Sequence, residues 1–243
     1  MTPPGTTALG GPDGRGGPHV FVADVDRPTL ADDDRHHLER VLRLRRGDAL
    51  TVSDGAGAWV PCRFGDELEV AGERQVEQRR LPELVLGFAP VKGDRPEWVV
   101  QKATELGVDR IIVLRAERSV VRWDGHRAER QIERLAKVAR EAAMQCRRCH
   151  LPALDGVAGI DDLAGRAGVV RAEMGGDPPT LDRPFVLVGP EGGWSTGEVD
   201  QIPATVGLAD HVLRAETAAV TAVARLAALR ADGGSVTTRV HTG

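Results

Sequence analysis

Residues 185–195 read FVLVGPEGGWS, an apolar run followed by a glycine-rich loop. Four apolar residues bounded by Gly189 and Pro190 are typical of a buried strand. Ser195 and Glu198 have the spacing of a capping box, which predicts that a helix begins here. Ligands of α/β proteins bind at such strand-to-helix loops, where glycine lets the backbone approach them closely. The stretch predicts an α/β fold with a ligand site at this loop, although an ordinary tight turn would have the same pattern.

Strands and helices alternate on both sides of this loop, over residues 81–230. The segment 94–107 has the start and stop signals of a helix, with proline in its first turn, and lies between two apolar runs. This arrangement predicts a βαβ unit and therefore a parallel sheet. Strands are predicted at 84–89, 110–114, 169–173, 185–188 and 211–213, and helices at 94–107, 125–148, 160–165, 196–202 and 217–230.

Residues 19–80 have a different pattern, which is dominated by short strands between turn signals. One helix is predicted, beginning at a capping box formed by Thr29 and Asp32 and ending at Gly47. We therefore expect a small, barrel-like β domain with one helix, followed by the α/β domain of residues 81–230.

The composition is that of a globular protein, with 243 residues, a formal net charge of −4 and three cysteines, Cys62, Cys146 and Cys149. Residues 1–18 and 231–243 are rich in small and polar residues without periodicity, and are predicted to be disordered tails. No apolar run is long enough to span a membrane, and no secretory signal precedes the first domain. The cysteine pattern lacks the second pair that a zinc site needs. We expect a cytoplasmic protein without metal or membrane contact.

One basic segment contrasts with this acidic background. Residues 35–46 contain five arginines and one glutamate. Such a local concentration of positive charge is typical of a surface that faces phosphate groups, and it is also typical of a solvated helix face. The candidate RNA contacts are Arg35, His37, Arg40, Arg43 and Arg45.

Charged residues also stand at the ends of two predicted helices. Arg214, Glu216 and Thr217 lie at the start of the helix predicted at 217–230, where they are favourable N-terminal residues or ligand contacts. The helix predicted at 125–148 has basic residues at steps of three or four, which predicts one charged face.

A series of motifs, in order along the chain, resembles one family. The motifs are HHLxxVLRLRxGD at 36–48, KGD at 92–94, QKATELGV at 101–108, ERS at 117–119, EAAxQCxR at 141–148, GPEGGW at 189–194 and LRAETA at 213–218. The series resembles the bacterial 16S rRNA uracil-N3 methyltransferase family, a branch of the SPOUT methyltransferases. The resemblance covers about residues 19–230.

The resemblance implies a PUA-like β-barrel followed by a SPOUT α/β domain that forms a deep trefoil knot. It implies S-adenosylmethionine as the cofactor, a homodimer with the active site at the subunit interface, and the small ribosomal subunit with its 16S rRNA as the partner. Loop backbones would contact the cofactor. The implied cofactor-binding residues are Leu187, Gly189, Pro190, Glu191, Gly192, Gly193, Leu208, Leu213, Arg214, Glu216 and Thr217.

The reaction itself suggests the catalytic residues. Attack by N3 of uracil requires loss of a weakly acidic proton or stabilisation of charge on the ring oxygens. Arginine can stabilise that charge, and a carboxylate can act as general base. We predict that Arg118 and Arg148 contact uracil or phosphate and that Glu141 orients Arg148 or acts as the base. Structural ion pairs are the alternative role for both arginines.

The chain departs from the family pattern at Ala209, where relatives usually have glycine, and at Met144, where they often have an acidic residue. The Ala209 methyl group would crowd a cofactor contact made by the backbone. Two other functions fit the same motifs. One is a SPOUT enzyme that methylates ribose 2′-oxygens or a tRNA base, and the other is a catalytically silent RNA-binding assembly factor. The product nucleoside and the ability to bind S-adenosylmethionine discriminate among them.

Overall fold

The computed structural model describes residues 10–12 and 16–233. Most of the two predicted tails therefore lies outside the described residues. The chain forms two compact units. One unit comprises Met1–Arg79 with Arg140–Leu151, and the other comprises Arg80–Ala139 with Pro152–Gly243.

The first unit contains a five-stranded sheet, as the short alternating runs predict. Its strands are β1 (His19–Phe21), β2 (Ala49–Ser53), β3 (Ala58–Arg63), β4 (Glu69–Val70) and β5 (Gln75–Val76). Strand β1 is parallel to β2, and the other pairings are antiparallel. The sheet buries an apolar core that includes Leu38, Leu50 and Val60.

The predicted helix of this unit differs from the observed one at both ends. Helix α1 (Asp32–His36) has Ala31 at its N-cap without a side-chain hydrogen bond, so the predicted capping box is wrong. Three successive aspartates occupy its first turn and interact favourably with the helix dipole. The helix continues as one wide turn, His37–Val41, and ends where Arg43 adopts a φ of 57°.

The second unit contains a six-stranded, fully parallel sheet. Its strands are β6 (Val85–Phe88), β7 (Arg110–Arg115), β8 (Ala153–Gly159), β9 (Val169–Asp177), β10 (Phe185–Val188) and β11 (Thr205–Val206), in the spatial order β11-β9-β10-β6-β7-β8. Its helices are α2 (Arg95–Glu105), α4 (Thr196–Gln201), α5 (Ala215–Gly233) and the part of α3 (Gly125–Cys146) that precedes Arg140. This sheet confirms the predicted α/β fold.

Strand β10 lies inside the sheet, between β9 and β6. All four of its residues are buried, as expected for a strand that is covered on both faces. On each side of the sheet, apolar residues from several elements form a core. In the described part of the chain, no helix is both long and apolar enough to cross a membrane.

Two local predictions in this unit are wrong, and the strand β8 had no counterpart among the predictions. Residues 211–213 form no strand, because the strand that pairs with β9 at this edge of the sheet is β11. Val212 is 82% exposed. Residues 160–165 form turns instead of a helix. Strand β8 was not predicted, because Gly156 and Gly159 interrupt its apolar pattern and most of its residues are only half-buried.

The segment 140–151 also differs from the prediction, which included it in the domain of residues 81–230. Arg140 donates hydrogen bonds to the Asp34 carboxylate, the shorter at 2.7 Å, and to the carbonyl of Phe21 at 3.1 Å. The backbone N–H of Leu151 donates to the carbonyl of Gly55 at 2.9 Å. These contacts attach the segment to the first unit.

Candidate active site

The glycine-rich loop has the geometry that its sequence predicts. The N–H of Gly193 donates to the carbonyl of Pro190 at 2.9 Å, which closes a turn, and Gly193 has a φ of 70°. Glycine adopts this left-handed conformation without the strain that a Cβ atom would add. The capping box is confirmed, since the side chains of Ser195 and Glu198 each accept the backbone N–H of the other residue.

Trp194 anchors this loop to the neighbouring strand β9. Its indole N–H donates to the carbonyl of Ala172 at 3.4 Å. A Cβ atom at Gly189 would lie 2.8 Å from the Trp194 ring, so only glycine allows the ring to pack here. The strand, the loop and the aromatic ring therefore form one rigid wall.

The loop between β11 and α5 forms the facing wall. Arg225 of α5 donates to the carbonyls of Gly207 and Leu208, both at 3.0 Å. These bonds hold the backbone that leads to Ala209 and onward to the start of α5. The position of this wall therefore depends on the Arg225 side chain of α5, the helix that follows the loop.

A cavity of about 850 Å³ lies between these walls. Seven of the predicted cofactor-binding residues line it, namely Gly189, Pro190, Glu191, Gly193, Leu208, Leu213 and Arg214. The other lining residues are Ala172, Glu173, Met174, Val188, Trp194, Val199, Ala209, His211, Val212, Ala215 and Ala218. The cavity therefore brings together two motifs that are separated in the sequence.

Four predicted cofactor residues do not line the cavity. Leu187 is fully buried in the apolar core, and Gly192 packs against the backbone of Arg118. Thr217 is an exposed residue of α5. Glu216 lies 3.6 Å from Arg95 in an ion pair. Roles in cofactor binding for these four residues stay predictions.

Three of the lining residues that the sequence did not predict, Ala172, Glu173 and Met174, belong to β9. Strand β9 pairs in parallel with β10, so the carboxyl ends of both strands meet at the same edge of the sheet. Recognition of this pairing would have placed Ala172, Glu173 and Met174 beside the glycine-rich loop. The strand order is a non-local property that periodicity does not reveal.

Arg118 lies beside the glycine-rich loop. Its guanidinium donates to the carbonyl of Gly192 at 3.5 Å, and its side chain is exposed. The residue before Arg118 is Glu117, and its backbone N–H donates to the buried Glu198 carboxylate at 2.8 Å. The loop that bears Arg118 is thereby attached to the N-terminus of α4.

The other two predicted catalytic residues belong to the first unit. Glu141 is exposed on α3. Arg148 follows the helix end, where Arg147 takes a φ of 61° and the N–H of Arg148 donates to the carbonyl of Ala143 at 3.0 Å. The predicted grouping of these two residues with Arg118 stays a prediction.

The basic segment is mostly open to solvent. His37, Arg40, Arg43 and Arg45 are exposed, and within the described residues their side chains form no ion pair. Arg35 is different, because its guanidinium donates to the carbonyls of Gly65 and Asp66 at 3.0 Å and 2.8 Å and packs on an aromatic ring. Arg35 therefore links helix α1 to the turn at residues 65–66.

Two of the three cysteines, Cys62 and Cys149, are buried in environments that disfavour metal binding. Burial raises the pKa of Cys62 to about 11, and burial together with the nearby Glu77 carboxylate raises the pKa of Cys149 to about 12. A thiol binds a metal as the thiolate, which these shifts make scarce. Across residues 16–233, no group of three or more His, Cys, Asp or Glu side chains could hold a metal ion.

Two known domain families match the chain. Residues 78–227 match the RNA methyltransferase domain, and residues 30–69 match the RNA methyltransferase PUA domain. Ribosomal RNA small subunit methyltransferase E from Mycobacterium bovis is 31% identical over 225 residues, which cover 81% of this chain and 84% of that protein. The Bacillus subtilis protein of the same name is 28% identical over 230 residues, covering 82% and 88%.

Solved structures have the same fold. A probable rRNA-methyltransferase from Porphyromonas gingivalis superimposes with a TM-score of 0.77 at 26% identity, over 89% of this chain and 99% of that chain. Ribosomal RNA small subunit methyltransferase E from Neisseria gonorrhoeae, bound to S-adenosyl methionine, gives 0.71 at 24% identity, over 85% and 95%.

The cavity thus lies in a methyltransferase domain, and the two matched domains define an RNA methyltransferase with a PUA domain. The chain belongs to the family of ribosomal RNA small subunit methyltransferase E. This membership confirms the family resemblance of the sequence motifs. The trefoil knot that the resemblance implies stays a prediction.

Proposed function

We propose that this chain transfers a methyl group from S-adenosylmethionine to N3 of a uridine in 16S rRNA, as a cytoplasmic homodimer acting on the small ribosomal subunit. The observation that carries the proposal is the cavity formed by the glycine-rich loop and the loop before α5, with Arg118 beside it. The names of the relatives, which are ribosomal RNA methyltransferases, support the same substrate.

The residues of the cavity fit S-adenosylmethionine. Its volume of about 850 Å³ is within the usual range for small-molecule sites. Apolar side chains such as Val188, Leu208 and Leu213 offer contacts for an adenine ring. The turn at Gly193 exposes backbone groups to polar atoms, and Glu173 offers a carboxylate. Ala209, whose methyl group the sequence suggested as an obstacle, is one of the residues that line the cavity.

The chemistry assigns distinct tasks to the protein. S-adenosylmethionine supplies an electrophilic methyl group on a sulfonium centre. As the N3–CH3 bond forms and the S–CH3 bond breaks, N3 must lose its proton. We propose that Arg118 and Arg148 stabilise negative charge on the uracil oxygens and that Glu141 receives the proton or orients Arg148. Proximity and orientation supply the rest of the acceleration.

The RNA would approach on the basic segment of the PUA domain. Arg40, Arg43 and Arg45 are exposed there and free to contact phosphate groups. Their separate replacement by alanine is expected to weaken RNA binding and to reduce its dependence on salt. The dimer is testable by light scattering, with an expected mass of twice the 26.0 kDa of one chain.

The experiment that tests the proposal is transfer of a labelled methyl group from S-adenosylmethionine. The acceptors are small ribosomal subunits lacking the modification, free 16S rRNA and tRNA. We expect label in 16S rRNA. Label in tRNA alone would support a different RNA specificity, and cofactor binding without transfer to any acceptor would support the silent assembly factor.

A variant tests the role of Arg148 in the same assay. Arg148→Ala is expected to lower turnover about 100-fold, the usual effect of removing a group that stabilises transition-state charge. Arg127→Ala, which removes an exposed arginine near the start of α3, is the matched control. Unchanged turnover in Arg148→Ala would remove this residue from the mechanism.

A further inference from the structure

A buried arginine of β9, Arg171, directly precedes the cavity-lining residues Ala172 and Glu173. Arg171 of β9 has a side chain that is only 4% exposed. Its Nε donates to the carbonyl of Ile202 at 2.6 Å, and its guanidinium lies 6.0 Å from the centre of the Trp194 ring. Burial of a positive charge is expensive without an anionic partner, so this residue requires a carboxylate nearby.

Glu173 supplies that carboxylate and also lines the cavity. Residues 171 and 173 lie on the same face of β9, and Nη1 of Arg171 donates to Oε2 of Glu173 at 3.1 Å. The Glu173 side chain is 51% exposed, and its Oε1 accepts no hydrogen bond from any residue that the structure describes. Oε2 of Glu173 is therefore fixed by Arg171, and Oε1 is available to a ligand.

We infer that Glu173 accepts a hydrogen bond from the ribose hydroxyls of the cofactor and that Arg171 is the residue that positions it. This inference rests on the proposed function, because it assigns a group of S-adenosylmethionine to a residue of the cavity. An acidic side chain that binds ribose hydroxyls near a glycine-rich loop is a general solution in α/β proteins.

The charge of the pair favours the ribose over the methionine end of the cofactor. Arg171 already compensates the negative charge of Glu173, so the pair attracts a further cation only weakly. A neutral hydroxyl donor needs only the free lone pairs of Oε1. The ammonium group of the methionine moiety would bind more strongly to a carboxylate that has no arginine beside it.

Two ligands discriminate between a Glu173 contact with the ribose and a Glu173 contact with the amino-acid moiety. S-adenosylhomocysteine contains both the ribose and the amino acid, whereas 5′-methylthioadenosine retains the ribose and lacks the amino acid. Calorimetry with Glu173→Gln is expected to show about tenfold weaker binding of both ligands, the effect of one hydrogen bond to a charged acceptor. The 2′,3′-dideoxy analogue of methylthioadenosine is expected to bind the variant and the wild type alike.

Controls make each outcome decisive. The amide introduced by Glu173→Gln retains an oxygen that can accept the Arg171 bond, and a thermal melt checks that the variant is folded. Glu133→Gln removes a charge from the exposed face of α3 and should leave the penalty of the dideoxy analogue at its wild-type size. A loss confined to S-adenosylhomocysteine, or no loss at all, would overturn the inference. Failure of the wild type to bind S-adenosylhomocysteine would instead overturn the proposed function along with it.

Discussion

Glu198 and Glu117 are 81 positions apart in the sequence and are joined by a 2.8 Å hydrogen bond from the backbone N–H of Glu117 to Oε1 of Glu198. The second oxygen of Glu198 accepts the N–H of Ser195, also at 2.8 Å. One buried carboxylate therefore fixes both the helix that follows the glycine-rich loop and the loop that bears Arg118. Geometry at the candidate active site depends on it.

The Glu198 carboxylate is expected to act through Arg118. Glu198→Gln leaves only one acceptor oxygen for two N–H groups, so the loop should lose its fixed position and turnover should fall about tenfold. In a double-mutant cycle with Arg118→Ala, the two losses should not add, because both remove the same placed guanidinium. Fully additive losses would show that Glu198 acts independently of Arg118. Glu117→Gln is the control, since only the backbone of Glu117 forms the bond.

Gly193 is expected to be sensitive to a single added methyl group. A Cβ atom there has open space, but the φ of 70° is unfavourable for alanine by about 1–2 kcal/mol. Gly193→Ala should therefore weaken S-adenosylmethionine binding several-fold in a calorimetric titration. Gly197→Ala, placed in helix α4 with equally open space, should bind as the wild type does. Equal binding by Gly193→Ala would show that the turn does not contribute.

The buried ion pair between Arg230 and Asp109 is expected to stabilise the α/β unit. Arg230 also donates to the carbonyls of Gly107 and Pro82 at 2.7 Å and 3.1 Å, and both side chains of the pair are buried. Arg230→Met would leave the Asp109 carboxylate buried and should lower the free energy of unfolding by about 3–5 kcal/mol. Denaturant unfolding measures this change. A loss below about 1 kcal/mol, the range of exposed pairs, would contradict the assignment.

His19 is expected to make stability depend on pH. Burial lowers its pKa from 6.5 to about 4, the Arg147 charge acts in the same direction, and the Thr51 and Ser53 hydroxyls contact the ring nitrogens at 2.8 Å and 2.9 Å. The unfolded chain then binds more protons between these pKa values, so His19 makes stability fall as pH drops from about 6.5 to 4. The loss is on the order of 3 kcal/mol.

Denaturant unfolding of the wild type and of His19→Gln at pH 7.5, 5.5 and 4.5 isolates this effect from the carboxylates that titrate in the same range. We expect the difference in free energy between the two proteins to shrink as pH falls. A constant difference over this range would rule out His19 as the source.

Local signals in the sequence predicted the centre of the site. Strand β10, the glycine-rich loop and the capping box of α4 depend on neighbouring residues, and their positions are confirmed. The predicted strand at 211–213 was wrong because pairing at a sheet edge depends on distant partners. The contribution of Glu173 was missed for the same reason, since it follows from the pairing of β9 with β10.

Local sequence patterns also could not predict how the chain divides into its two compact units. Residues 140–146 continue the helical pattern of α3. Long-range bonds, such as those of Arg140 to Asp34 and of Leu151 to Gly55, show that the segment 140–151 belongs with the first unit. In the same way, Arg35 appeared among the candidate RNA contacts because of its charge. The carbonyls of Gly65 and Asp66, which engage it, are 30 and 31 positions away.

The most direct test of the proposed function is the identity of the methylated nucleoside. Small ribosomal subunits that lack the modification are treated with the protein and S-adenosylmethionine, and the 16S rRNA is digested to nucleosides. Liquid chromatography with mass spectrometry then compares the product with authentic standards. We expect N3-methyluridine in the treated rRNA and none in rRNA incubated without the protein. A 2′-O-methylated nucleoside, methylation of another base, or no new nucleoside from protein that binds the cofactor would contradict the proposed function.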